Sequence, residues 1–133
     1  MDPIIFISRN RVKEGLFDDF RKHYLNSVPL TESDKPGTFA QLAYVNEDAS
    51  EVTIVRIFPN TEALDLQLLG ADERSKTTYR FIEPTSIEIY GAPSNYALDM
   101  MKKVAGSGIV VRINPQFIGG FIRNGNFHHI HVD

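Results

Sequence analysis

The chain has no cysteine, so disulfides, thiol nucleophiles and cysteine-ligated zinc are excluded and stability rests on packing. It has no long apolar run. The longest early one, Ile4 to Ile7, falls far short of a signal-peptide core or of the roughly 20 residues a membrane-spanning helix needs. No basic cluster exceeds a pair and the formal net charge is −3, which argues against nucleic acid as a partner. The expectation is a soluble cytoplasmic protein with no membrane contact. What is present is ordinary for a globular chain: 133 residues, 42% hydrophobic and 23% charged. That length suits one compact unit burying roughly two-thirds of its unfolded surface.

The stretch from Glu51 to Ser75 organises the rest. Val52 to Phe58 is β-branched and aromatic and reads as a strand. Pro59 stops it because it lacks a backbone donor. Asn60 or Thr61 then caps a helix whose stripe is Leu64, Leu68 and Ala71. Gly70 interrupts that helix, and Asp72 is placed to cap a second one running to about Ile82. Upstream, Pro3 to Val12 alternates as a first strand. Phe17, Phe20, Tyr24 and Val28 give a helix with one apolar stripe, which Pro29 is expected to end. Thr38 to Val45 reads as the second strand and Thr85 to Tyr90 as the fourth. The order βαββαβ predicts an α+β, ferredoxin-like plait with strand order 4-1-3-2 and both helices on one face.

The two sheet faces then carry different chemistry. Ile5, Ile7, Leu42, Tyr44, Val55, Ile57, Ile87 and Ile89 are expected on the uncovered face, an apolar surface that predicts sheet-to-sheet homodimerisation. Phe6, Ser8, Asn10, Phe39, Gln41, Ile54, Arg56, Phe58, Ser86, Glu88 and Tyr90 are expected beneath the helices. Polar groups there must be paired or line a cavity, which predicts a small-molecule ligand. Arg56 and Glu88 lie on strands that flank strand one, about 10 Å apart at the backbone. Either they form a structural ion pair, or Arg56 holds an anionic or enolate-like oxygen by directional hydrogen bonds. Tyr24, Tyr79 and Tyr90 either orient a phenolic ligand or serve as amphipathic core. Ser8 and Asn10 suit a carbonyl or are neighbours of a cap. His23 is an edge-of-core residue or a proton acceptor.

Three segments carry a family resemblance: Val12-Lys13-Glu14-Gly15, Phe58-Pro59-Asn60-Thr61-Glu62-Ala63, and Gly70-Ala71-Asp72-Glu73-Arg74-Ser75. With them, residues 3–92 resemble the antibiotic-biosynthesis monooxygenase-like group of dimeric α+β barrels. The resemblance implies a sheet-mediated homodimer with a small-molecule cavity between sheet and helices. It also implies cofactor-free oxygenation of an aromatic or quinol-like compound, and in that reaction the polar cluster on the covered face makes Arg56 and Asn10 the expected catalytic residues. Ser8, Tyr24, Phe58, Tyr79, Glu88 and Tyr90 would bind the ligand. An isomerase acting on an enolisable compound is the related chemistry, and a non-catalytic binding or assembly module is the alternative. The oxygenase branch usually carries Trp at the end of strand three and Asn four residues earlier, where this chain has Phe58 and Ile54. The haem-degrading branch needs that Trp and a second-helix His. The chain has no tryptophan and no histidine between Thr61 and Ile82, so haem is disfavoured and no cofactor is expected.

Residues 93–133 lie outside the resemblance and form a C-terminal extension to the barrel of residues 1–92. Ala97, Met100, Met101 and Val104 mark an amphipathic helix begun at Ser94 or Asn95 and closed by Gly106. Ile109 to Ile113 reads as a strand, and Phe117 to Ile122 as an apolar segment around a flexible Gly119-Gly120 turn. The extension is expected to pack on the barrel or its partner, because it is too hydrophobic for a disordered tail. His128, His129 and His131 are solvated or metal-binding. No carboxylate spacing nearby completes a site, so no metal is assigned.

Overall fold

The computed structural model describes residues 2–106 and 108–123. In chain order the elements are β1 (Ile4–Val12), α1 (Phe17–Asp34), β2 (Ala40–Val45), β3 (Glu51–Phe58), α2 (Thr61–Leu68), α3 (Ala71–Thr78), β4 (Ile82–Tyr90), α4 (Asn95–Ala105) and β5 (Val110–Asn114). The sheet runs β2-β3-β1-β4-β5. Its first four strands are antiparallel in the expected plait order, and β5 adds a parallel edge beside β4.

The corner after β3 forms as its residues dictate. The Asn60 side chain accepts from the Ala63 amide at 2.9 Å and caps α2, satisfying one of the amides a helix start leaves free. Gly70, at φ 75°, takes the left-handed conformation that separates α2 from α3. Asp72 does not cap α3, which starts one residue earlier and ends at Thr78. It lies in the first turn and pairs with Lys103 of α4 at 3.1 Å.

Pro29 does not end α1, which continues to Asp34. Proline removes one intrahelical donor. Here that loss falls on an exposed part of the helix, where Leu25, Asn26, Pro29 and Leu30 are all exposed.

The larger correction concerns β4. It begins at Ile82, and its register against β1 shifts between Arg9 and Asn10: Asn10 faces Pro84, but Arg9 faces Ser86. This bulge lets Thr85 fall out of the ladder, where its hydroxyl donates to the Arg9 carbonyl at 3.0 Å. Ile82 before the bulge and Ile87 and Ile89 after it therefore all face the helices, and all are buried. Ser86, Glu88 and Tyr90 turn to the open face. Pro84 is tolerated because the irregular ladder asks no amide of it.

Beneath the helices the core is split in two. One cluster joins Ile4, Phe6, Phe58, Leu64, Leu68, Ile87, Ile89 and the α4 residues Ala97 and Met101. The other joins Val12, Phe20, Val52, Ile54 and Ile82. Ser8 and Asn10 lie on β1 between them. On the open face, Leu42 and Tyr44 are 48% and 63% exposed, beside half-buried Ile5, Ile7, Val55 and Ile57.

The extension closes one end of the layer. Ser94 caps α4, accepting from the Ala97 amide at 3.0 Å, and α4 packs against α2 and α3. Beyond β5 the chain is irregular, with Ile118 and Phe121 exposed. His128, His129 and His131 lie outside the described residues.

Gly91, where β4 turns toward α4, sits at φ 111°, and an added Cβ would meet Ile4 Cγ1 at 2.9 Å and the Pro3 carbonyl at 3.0 Å. Gly91→Ala is expected to cost about 1–3 kcal/mol, read as a lower urea midpoint with an unchanged slope.

Candidate functional site

The gap between the two core clusters is a cavity of about 540 Å³. Its floor comes from the middle of the sheet: Phe6, Ser8 and Asn10 of β1, Gln41 of β2, Ile54 and Arg56 of β3, and Ile87 of β4. Its roof is Phe20, His23 and Tyr24 of α1 and the α3 end with Thr78 and Tyr79, while α4 contributes Met101 and Val104.

Arg56 dominates the electrostatics. Its ladder partner on β2 is Gln41, whose Oε1 accepts from Arg56 Nε at 2.9 Å. The guanidinium lies over the Phe6 ring, 5.9 Å from its centre, a cation–π distance. Among the described residues no carboxylate lies within ion-pair reach of it, and neither of its Nη groups meets a protein acceptor. Burial pulls its pKa below the usual arginine value, and the nearby Tyr24 and Tyr79 phenols oppose that pull. A guanidinium starts so high that it keeps its proton all the same. The cavity therefore holds a fixed positive charge with free donors.

Gln41 also acts on the Tyr24 phenol, holding its pKa down while it orients the cation. Desolvation raises the pKa of Tyr24 and, on the other side, of Tyr79. Gln41 and Arg56 partly offset this at Tyr24, and Arg56 does so at Tyr79. His23 Nε2 lies 3.0 Å from Thr78 Oγ1, with its ring tilted against Phe81. Asn10 is 2% exposed. Its amide donates to the Val52 carbonyl at 3.3 Å and makes longer contacts to Ser8.

The other cations lining the cavity are engaged. Arg74 donates to the Gln67 and Leu69 carbonyls, and Lys35 to those of Leu66 and Leu69. They satisfy the carbonyls that the end of α2 leaves open. Asp34 is the acidic lining residue.

Six of the residues singled out from the sequence thus line one cavity: Ser8, Asn10, His23, Tyr24, Arg56 and Tyr79. Three do not. Phe58 is fully buried in the first core cluster, away from the lining. Glu88 and Tyr90 stand on the open face, where Glu88 pairs with Arg9 and accepts from the Tyr90 hydroxyl at 2.6 Å. The proposed Arg56–Glu88 pair is absent because the bulge sets β4 with the opposite facing. Gln41, expected on the covered face but with no role of its own, and Arg74, not singled out, also line the cavity. The signal for Gln41 was its place opposite Arg56 in a β2–β3 hairpin. Among the described residues no group of three or more His, Asp or Glu is arranged to hold a metal, and no helix is long and apolar enough to cross a membrane.

The fold is that of a known class, the ferredoxin-like α+β fold of the antibiotic biosynthesis monooxygenase proteins. MupZ from Pseudomonas fluorescens superposes with a TM-score of 0.68 at 12% identity, over 92% of this chain and 96% of that one. SnoaB, a cofactor-independent oxygenase from Streptomyces nogalater, superposes with a TM-score of 0.59 at 13% identity, over 71% and 97%. An antibiotic-biosynthesis-monooxygenase-type protein from Bordetella bronchiseptica gives 0.56 at 18% identity, over 67% and 95%. No family model matches the chain, and no curated protein matches it in sequence. At such identities the likeness is one of fold. Residues 93–133 make up nearly a third of the chain, so the MupZ match takes in most of the extension.

The two buried phenols set a pH dependence. Their folded-state pKa values lie above the unfolded value of about 10. The folded state therefore holds protons that the unfolded state has released, and stability falls as pH rises above about 10. The Tyr24→Phe, Tyr79→Phe double variant is expected to lose stability less steeply than the parent between pH 9.5 and 11, measured by urea unfolding.

Proposed function

We propose that the protein is a homodimeric small-molecule-binding barrel that takes an aromatic or quinol-like compound into this cavity as an anion and oxygenates it with dioxygen, without a cofactor. One observation carries the reading: a half-buried guanidinium on the cavity lining, oriented by Gln41 and set over Phe6, whose Nη donors meet no protein acceptor among the described residues. The open cavity leaves this cation to water when empty, and a ligand that displaces the water must supply a counter-charge, because a desolvated cation without a partner is expensive. The fold shared with a cofactor-independent oxygenase supports the same chemistry.

In that reaction the substrate supplies the electrons. Arg56 anchors an anionic oxygen of the bound compound, and the donors around it are already in place before reaction, so little reorganisation is needed. In net terms a ring CH2 in its keto form becomes C=O. One oxygen atom enters the new carbonyl, and the other leaves as water with the two hydrogens. Tyr24 and Tyr79 stay protonated near neutrality and can donate to ring oxygens, with Ser8 beside them. Asn10, its amide engaged with Val52, holds the floor between β1 and β3 instead of meeting the charge directly. Apolar Ile54, Ile87 and Phe20 exclude water from the ring.

The open face completes the proposal. Leu42, Tyr44, Ile5, Ile7, Val55 and Ile57 form an apolar surface of the kind a second copy covers. The Arg9–Glu88 pair lies beside it.

Arg56→Gln is expected to lower oxygen uptake on a panel of quinols by about 10²–10³-fold, the usual effect of removing one charge-stabilising donor. It should also remove any ligand retained in native mass spectrometry. No retained ligand and no uptake by the parent protein would favour a non-catalytic module. For the dimer, Leu42→Asp with Tyr44→Asp is expected to turn a two-chain species into a single-chain one in sedimentation velocity. A single-chain parent at micromolar concentration overturns the sheet-face interface.

A further inference from the structure

Resting on that reading of the cavity, we propose that the anion Arg56 holds is a carboxylate, so that the substrate class is an aromatic or quinol-like acid docked by its carboxyl group. Nε of Arg56 is taken by Gln41, which fixes the guanidinium plane and leaves both Nη groups for the ligand. Two parallel N–H donors in one plane match the two oxygens of a carboxylate, and such pairs are shorter and stronger than neutral hydrogen bonds. A phenolate offers one oxygen and leaves half of the fork without an acceptor.

Charge narrows the class further. Lys35 and Arg74 are held on the carbonyls at the end of α2, and Asp34 adds a negative charge to the lining. A carboxylate, with two coplanar oxygens, is matched by this one guanidinium, whereas a phosphate dianion brings a third oxygen that only the already bonded Lys35 and Arg74 could meet. The carboxylate is also ionised at neutral pH without help, so docking does not wait for a phenol to lose its proton. Phe6 covers one guanidinium face, and the apolar floor beside it can receive a ring. Docked so, the ring carries its own oxygens toward Tyr24, Tyr79 and His23.

The test compares matched ligands on the full chain by isothermal titration calorimetry: 2-naphthoate, 2-naphthamide, 2-naphthol and 2-naphthyl phosphate. The parent protein is expected to prefer naphthoate over naphthamide and naphthol by about 10- to 100-fold, the range of a charged hydrogen-bonded pair, and over the phosphate as well. Arg56→Lys keeps the charge and loses the fork, so most of the preference should go. Arg56→Gln should abolish it while naphthamide binding persists, which also reports that the variant is folded. Equal binding of naphthol or naphthamide by the parent, tighter binding of the phosphate, or a preference that survives Arg56→Gln overturns the proposal. If naphthol binds and quinols are oxygenated without a carboxylate preference, the carboxylate assignment alone falls. If no aromatic ligand binds and no quinol is oxygenated, the reading of the cavity falls with it.

Discussion

A row of polar side chains across the middle of the covered sheet face keeps this protein from closing into one continuous core. Gln41, Arg56, Ser8 and Asn10 sit on three adjacent strands, with apolar clusters on either side of them. Helices packed directly onto that row would strip water from a guanidinium without giving it an anion, at a cost of several kcal/mol. The helices instead seal the two ends, where Leu64 and Leu68 of α2 and Phe20 of α1 find aliphatic partners. They stand off the centre, and the cavity is what remains. Stability and binding capacity are thereby assigned to different residues of the same strands.

That division explains what could be read in the sequence. The element order, the Pro59–Asn60 corner, the Gly70 break and the alternation of β1 and β3 are local signals, and local signals fixed the plait. Ser8, Asn10, Arg56, Tyr24 and Tyr79 could be placed in one cavity because β1 and β3 keep a simple period of two and α1 a simple stripe. Glu88 could not be placed correctly. Counting along Thr85 to Tyr90 tells which residues share a face but not which face it is, and the answer depends on a bulge set by Pro84 opposite Asn10. Apolar content was the better guide. Ile87 and Ile89 go where burial is deepest, and the charged residue takes the side where Arg9 can reach it. The length of α1 was misread for a related reason, since a proline matters less where its missing bond faces solvent.

The extension changes how the edge of the sheet is managed. Without β5, β4 would be an outer strand with unpaired backbone groups, a template for unwanted pairing. β5 covers that edge, and the Gly91 amide donates to the Asn114 carbonyl at 2.8 Å. Meanwhile α4 brings Met101, Val104 and Ala105 to the cavity wall. The extension thus shapes the site as well as the edge, and it cannot be treated as an appendage to a finished barrel.

The oxygenases that the sequence resembles carry their polar signature at the positions here occupied by Ile54 and Phe58. By strand alternation both point the same way as Arg56, which stands between them. Exchanging a flanking amide and indole for aliphatic and phenyl groups removes neutral donors from the wall and pushes the polar function onto the central position. A neutral amide both donates and accepts and so can meet a neutral carbonyl or hydroxyl, whereas a guanidinium only donates, carries charge and favours anions. Under the proposed reading the cavity takes ligands that arrive ionised, and Gln41, the neighbour across the hairpin, sets the direction in which the Arg56 charge is presented.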